Sequence, residues 1–147
     1  MLHYIVAVEG AVYKNNRYLM TLRSENETHA PDTLAFPGGK VENAFAQQRI
    51  LEKTLQREIM EETGVSIEDE MVYIESKSFT ADDGDPVVDM VFLCRYKDGE
   101  AIANEPEEIC QVIWLTCQEI LDHPKTPPWG RACIQAVEKV RQYLRWE

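Results

Sequence analysis

Apolar and polar positions along the chain change their period several times, and each change marks an element. Tyr4 to Tyr13 and Tyr18 to Leu22 read as two strands around the polar turn Lys14-Asn15-Asn16, which predicts a hairpin. Ser24 to Asp32 is polar, contains Pro31 and reads as a surface loop ahead of a short strand, Leu34 to Phe36. From Gln47 to Thr63 the chain is rich in Leu, Glu, Gln, Arg and Lys and is stopped by Gly64, the pattern of a helix with a glycine C-cap. Strands follow at Met71 to Phe79 and Val87 to Tyr96, separated by the turn-rich run Ala81 to Pro86, and at Cys110 to Leu115. A short helix is expected at Gln118 to Leu121. The last helix begins near Thr126-Pro127-Pro128, with Thr126 as cap and prolines in the first turn, and runs to about Leu144. Trp129, Cys133, Ala136, Val137, Val140 and Leu144 form an apolar stripe along it.

This order of elements predicts an α/β fold, a sandwich with a mixed β-sheet between helices. A chain of 147 residues without linker or repeat forms one domain, residues 1–147, long enough to bury a single core. Apolar runs such as Met90 to Cys94 are far too short to span a bilayer, and the N-terminus has no secretory-signal pattern. Cys94, Cys110, Cys117 and Cys133 lack zinc or disulfide spacing, so reduced thiols in a cytoplasmic protein are expected. The net charge of −11 disfavours sequence-independent nucleic-acid binding, which depends on neutralising phosphates. It leaves room for a small phosphate ligand, because carboxylates that hold a divalent cation become attractive to pyrophosphate.

The chemistry concentrates in residues 38 to 65. At 100° per residue, with Leu55 as zero, Leu51 and Ile59 lie near ~−40° and ~+40° and should face the core, while Glu62, Glu58 and Glu61 fall near ~−20°, ~−60° and ~−120°. The three carboxylates therefore overlap the edge of the buried stripe instead of lying opposite it. Like charges three and four residues apart repel by roughly 0.2 to 0.5 kcal/mol per pair on an exposed helix, and by more when desolvated. A cation should compensate, and hard divalent ions take oxygen ligands of this kind. Arg57, four residues before Glu61, can pair with it, and Gly38-Gly39 lets the backbone approach a metal or phosphate.

Gly39 followed by Arg57-Glu58-Ile59-Met60-Glu61-Glu62-Thr63-Gly64-Val65 resembles the box of the Nudix hydrolase family, over about a fifth of the chain. Six polar or glycine matches at fixed spacing would arise by chance at roughly one in 10^7 per start position. The sequence departs from the family pattern in having four extra residues between Gly39 and Arg57. The first glutamate of the box has no match in register: Phe45 or Arg49 stands there, with Glu52 as a candidate substitute.

The resemblance implies a Nudix-type α/β/α sandwich and hydrolysis of a phosphoanhydride bond in a nucleoside diphosphate derivative, most simply a nucleoside triphosphate yielding monophosphate and pyrophosphate. It further implies Mg2+, with Mn2+ as an alternative, bound by Glu58, Glu61, Glu62 and the Gly38 carbonyl, with Arg57 orienting the glutamates and a metal-activated water attacking phosphorus. The general base it implies is Glu58 or a loop glutamate, for which Glu108 has the matching spacing to Trp114. Arg23, at the end of the second strand, and Lys40 are candidates for substrate contact, as is Gly39. Phe36 and Trp129 can stack on a base or serve the core. Pro127-Pro128-Trp129-Gly130 lacks the asparagine of relatives that act on oxidised guanine. The first proline after the box, Pro86, comes later than in relatives that cleave ADP-ribose. ADP-ribose or nucleotide-sugar cleavage and a non-catalytic nucleotide-sensing module remain alternatives, and the resemblance allows a homodimer.

Overall fold

Asn15 and Asn16 both take positive φ, 48° and 65°, the conformation that a tight two-residue hairpin turn requires and that asparagine tolerates. They fold β1 (Ile5–Lys14) back on β2 (Arg17–Arg23), pairing Tyr13 with Tyr18 and Lys14 with Arg17. The two strands then part, and the segment 34–40 fills the gap. β3 (Leu34–Ala35) pairs with β2 at Thr21 and Leu22, while β4 (Gly38–Lys40) pairs antiparallel with Ala7 to Glu9 of β1.

The structure is a computed structural model describing residues 1–42 and 46–147. After β4 come α1 (Ile50–Thr63), β5 (Ser66–Thr80), β6 (Pro86–Asp98), β7 (Ile109–Leu115), α2 (Cys117–Asp122) and α3 (Pro128–Leu144). β6 runs parallel to β1 and carries β5 antiparallel on its outer side, and β7 closes the far edge of β2, so the seven-stranded sheet is mixed as expected.

Strand alternation divides the core in two. Val8, Val12, Phe92 and Cys94 meet Leu55 and Ile59 of α1 on one face, and Ala11, Tyr13, Val91 and Leu93 meet Cys133, Ile134 and Val137 of α3 on the other. Leu55 and Ile59 are both fully buried, each worth about 1.5–3 kcal/mol, and they fix the rotation of α1 on the sheet. All four cysteines are free. Among the described residues no helix is long and apolar enough to cross a membrane.

Several local expectations need correction. α1 starts at Ile50 and not at Gln47, because Arg49 turns left-handed at φ 57° and offers no side-chain cap. The Arg49 guanidinium instead donates to the Asp69 carbonyl at 2.7 Å and lies 3.7 Å from Glu52. β5 begins five residues earlier than Met71: its register jumps from Ile67 opposite Tyr96 to Met71 opposite Cys94, so the acidic run Glu68-Asp69-Glu70 bulges out of an otherwise continuous strand. Thr126 does not cap α3. Its buried hydroxyl donates to the Ile120 carbonyl at 2.7 Å, and the extended residue before the helix is Pro127. The buried part of the α3 stripe is Cys133, Ile134 and Val137, whereas Trp129 is 56% exposed. Ala81 to Asp85 is the turn that the sequence predicts, closed by Ala81 N–H to the Asp85 carbonyl.

Candidate active site

The three glutamates of α1 are exposed in the order that their helical angles require. Glu62 is 8% exposed, the Glu58 side chain 15% and the Glu61 side chain 49%. The helix is anchored through Leu55 and Ile59, so a residue that lies closer to that stripe sits deeper against the sheet.

The ladder between β1 and β4 brings the glycines to this end of the helix. Gly10 N–H bonds to the Pro37 carbonyl and Val41 N–H to the Val6 carbonyl, with Gly39 opposite Val8 between them. Alternation then turns the main-chain groups of Gly38 and Lys40 away from β1. A side chain at either glycine would meet a neighbour, backbone at Gly38 and the Glu58 side chain at Gly39. A Cβ on Gly38 would stand 2.1 Å from the Val8 carbonyl oxygen, and one on Gly39 would stand 2.4 Å from Glu58 Cδ. The first contact lets β4 press onto β1, and the second lets the Glu58 carboxylate fold over β4.

Burial is the main reason that the Glu62 carboxyl is pushed up to about 8, with the charge of Glu58 adding to it and the Gly38 amide and Arg23 opposing it. Among the described residues Glu62 takes part in no salt bridge. Glu58 is also raised, by burial first, while neighbouring Arg57 pulls it down and Glu61 pushes it up. The Arg57 Nη1 atom stands 3.3 Å from both Glu61 oxygens, the pair that the sequence spacing anticipates, and 3.2 Å from Glu58 Oε1. As they stand, no three Asp, Glu, His or Cys side chains among the described residues converge closely enough to hold a metal ion.

Gly64, at φ 74°, ends α1 and frees its last carbonyls for a strap. Ile102 N–H bonds to the Thr63 carbonyl at 2.9 Å and Asn104 N–H to the Glu62 carbonyl at 3.1 Å. The strap carries Glu105 to the acidic face: its charge adds to the burial that raises Glu58 and Glu62, and Glu105 is itself raised by burial first and then by the charges of Glu108 and Glu61. Sequence spacing to Trp114 singles out Glu108 and misses Glu105, since nothing in that spacing reveals the bonds between Asn104 and the helix end. Glu108 is exposed, and its carbonyl accepts from Ser24 N–H at 2.8 Å.

The remaining candidates scatter. Arg23 donates from Nε to the His29 carbonyl at 3.0 Å and from Nη2 to Glu27 at 3.1 Å, bracing the loop between β2 and β3. Lys40 is exposed beside the glycines. Phe36 is buried edge-on to Tyr18 and belongs to the core. Phe45 lies outside the described residues, and Glu52 sits in the first turn of α1 beside Arg49, away from the three glutamates. A hollow of about 620 Å³ opens between the two loops, lined by Ser24, Asn26, Pro106 and Glu107.

Comparison with known proteins agrees with the fold. A MutT Nudix hydrolase from Burkholderia pseudomallei superposes with a TM-score of 0.75 at 23% identity, over 92% of this chain and 98% of that one. A MutT protein from Methanosarcina mazei gives 0.76 at 22% identity, over 96% and 97%. A UDP-X diphosphatase gives 0.71 at 19% identity, over 99% of this chain and 66% of that one. No curated protein matches the chain by sequence. The NUDIX domain profile matches residues 3–137, so the chain belongs to the Nudix hydrolase family.

Proposed function

We propose that this Nudix hydrolase splits a nucleoside triphosphate into the monophosphate and pyrophosphate, with Mg2+, or Mn2+ in its place, held by Glu58, Glu61, Glu62 and the Gly38 carbonyl. Hydrolysis of a pyrophosphate bond in nucleotide derivatives is the family's chemistry, and its members generally use divalent metal ions.

The observation that carries the proposal is Glu62. A carboxyl that is 8% exposed, one turn from Glu58 and in no salt bridge among the described residues is pushed up to about 8 by burial, and a cation beside it would favour the ionised form. The donors within reach are hard oxygens, the set that Mg2+ favours when water and substrate phosphates complete its shell. Bound there, the ion supplies charge neutralisation on the phosphate oxygens and activates water.

The chain's own residues do the rest. Arg57 sets the Glu61 and Glu58 carboxylates through Nη1, which reaches both. Glu105, held by the strap against the end of α1, is placed to take a proton from the attacking water, and Glu58 or Glu108 is the alternative base. The missing side chain of Gly38 lets β4 pack directly on β1, and that of Gly39 leaves room for the Glu58 carboxylate over β4.

Purified protein with Mg2+, assayed against nucleoside triphosphates, ADP-ribose and nucleotide sugars by ³¹P NMR, tests the proposal. Pyrophosphate released from a triphosphate supports it. Turnover of ADP-ribose or a nucleotide sugar alone would move the chain to the reading suggested by its likeness to a UDP-X diphosphatase. No turnover of any substrate, together with a Tm unchanged by Mg2+, would leave a nucleotide-sensing module; the presence of Glu58, Glu61 and Glu62 together speaks against that outcome.

A further inference from the structure

The sheet face beneath α3 is apolar along Ala11, Val91 and Leu93, yet the next positions of the same strand alternation are Glu9 and Asp89. Lys77 of β5 stands directly opposite Asp89 across the ladder and completes a charged triad. Its Nζ is 3.5 Å from Glu9 Oε1 and 3.9 Å from Asp89 Oδ2. The Cys133 Sγ on α3 lies 3.9 Å from Glu9 Oε1.

A buried ionic group of this kind is weak support for a fold, because well-packed apolar residues in its place are commonly as stabilising or more so. The triad is also not sealed. Asp89 is 4% exposed, but the side chains of Glu9 and Lys77 are 22% and 26% exposed, so polar groups look outward from an otherwise apolar floor. Exposed aromatic rings flank it. Phe79, two residues along β5 on the same face and 37% exposed, stacks on His29 at 5.2 Å and 9°. Trp129, 56% exposed, precedes Cys133 by one turn on the same side of α3. Glu9 is also the ladder partner of Gly38, which places the triad one strand from the phosphate site proposed above.

We infer that Glu9, Asp89 and Lys77 read the edge of a nucleobase that carries an exocyclic amino group, with the flat ring lying against the exposed aromatic side chains. The inference rests on the nucleotide-hydrolase reading. Two carboxyls and one ammonium give the floor more acceptors than donors. Carboxylates accept from exocyclic amino groups, and the lysine donates to a neighbouring ring acceptor. Aromatic faces hold any planar base by stacking. The hollow at Ser24, Asn26, Pro106 and Glu107 has no aromatic ring in its lining and fits a base less well.

Matched nucleotides that differ in the amino group test this: GTP against ITP and CTP against UTP for kcat/KM with Mg2+, and the corresponding monophosphates for metal-free binding by calorimetry. The amino-bearing member should be favoured by roughly 10-fold or more in at least one pair, since a site built for an N–H discriminates against the analogue lacking it. Glu9→Gln and Asp89→Asn should each collapse that preference, and Glu9→Gln, at the more exposed position, serves if Asp89→Asn misfolds. Trp129→Ala should weaken all four monophosphates together. Turnover without amino preference, or a preference unchanged in Glu9→Gln, overturns the inference and leaves the hydrolase reading intact. Preferential binding of GMP or CMP without any turnover sustains it and removes the hydrolase reading instead.

Discussion

A Cβ on Gly39 would stand 2.4 Å from Glu58 Cδ and 2.6 Å from Glu58 Oε2, so the space left by the glycine's missing side chain is the space that the carboxylate fills. Gly39→Ala should therefore displace a flexible carboxylate and leave the backbone in place. Misplacing a reacting group by about 1 Å commonly costs on the order of 10²-fold. A fall of that size in kcat with Tm nearly unchanged is expected. Gly38→Ala is the contrasting control, because its Cβ would meet the Val8 carbonyl and Glu9 Cα, which are backbone and cannot swing aside. That variant should lose Tm first, by an amount matching about 1–3 kcal/mol of overpacking. Equal behaviour of the two variants would contradict the assignment.

These contacts also mark the limit of what the sequence discloses. Helical angles alone order Glu62, Glu58 and Glu61 by depth, since Leu55 and Ile59 fix the rotation of α1 and the angle from their stripe sets burial. The hairpin at Asn15-Asn16 and the stop at Gly64 are equally legible, because each depends on residues that locally favour positive φ. The bulge at Glu68 to Glu70 is not, as a strand held only by its neighbour β6 can expel an acidic run that on its own resembles a loop. Nor is Glu105, whose place depends on Asn104 N–H, 42 residues further along the chain, reaching the Glu62 carbonyl. Thr126 misleads for a related reason: its hydroxyl finds the Ile120 carbonyl before it can serve the helix that follows.

Arg57 Nη1 holds Glu58 and Glu61 at once, at 3.2 and 3.3 Å, while its own side chain is 45% exposed. An exposed ion pair contributes under about 1 kcal/mol to stability. Groups that orient metal ligands, by contrast, typically change affinity or activity by 10–100-fold, roughly. Arg57→Ala should lower kcat/KM within that range with little change in Tm, and Arg57→Lys should recover only part of it, since lysine places a compact ammonium on a different stem in place of the planar guanidinium. A large loss of Tm in Arg57→Ala would make the arginine a structural element instead.

Glu62 links stability to pH in the metal-free protein. Its carboxyl is raised from 4.5 to about 8, chiefly by burial and then by Glu58, so between those values the folded chain binds a proton that the unfolded chain has released. Stability from this group is therefore present at low pH and is lost as pH rises through about 8. In chelator, the wild-type Tm should fall by on the order of 5 °C between about pH 6 and about pH 8.5, beyond any fall seen for Glu62→Gln. Adding Mg2+ at the higher pH should restore the wild-type Tm and leave the variant unmoved. Identical pH profiles for the two proteins would show that Glu62 is not the titrating group.

Glu105 and Glu108 compete for the role of loop carboxylate, and the strap separates them. Asn104 is tied to Glu62 and Ile102 to Thr63, so Glu105 is held against the end of α1, where its charge is felt by Glu58 and Glu62. Glu108 is exposed, and its main-chain carbonyl is occupied by Ser24 N–H on the β2–β3 loop. A base must stand within hydrogen-bond reach of the attacking water, and a positioned one contributes about 10²–10⁴-fold. Glu105→Gln is expected to lower kcat by at least about 10-fold and to flatten the acid limb of the kcat pH profile, whereas Glu108→Gln should stay within about 3-fold of wild type. The reverse ranking would return the role to Glu108. Equal, small effects in both would leave Glu58 as the base, and the double variant then distinguishes redundancy from absence: two loop carboxylates that substitute for each other lose activity together when both are replaced.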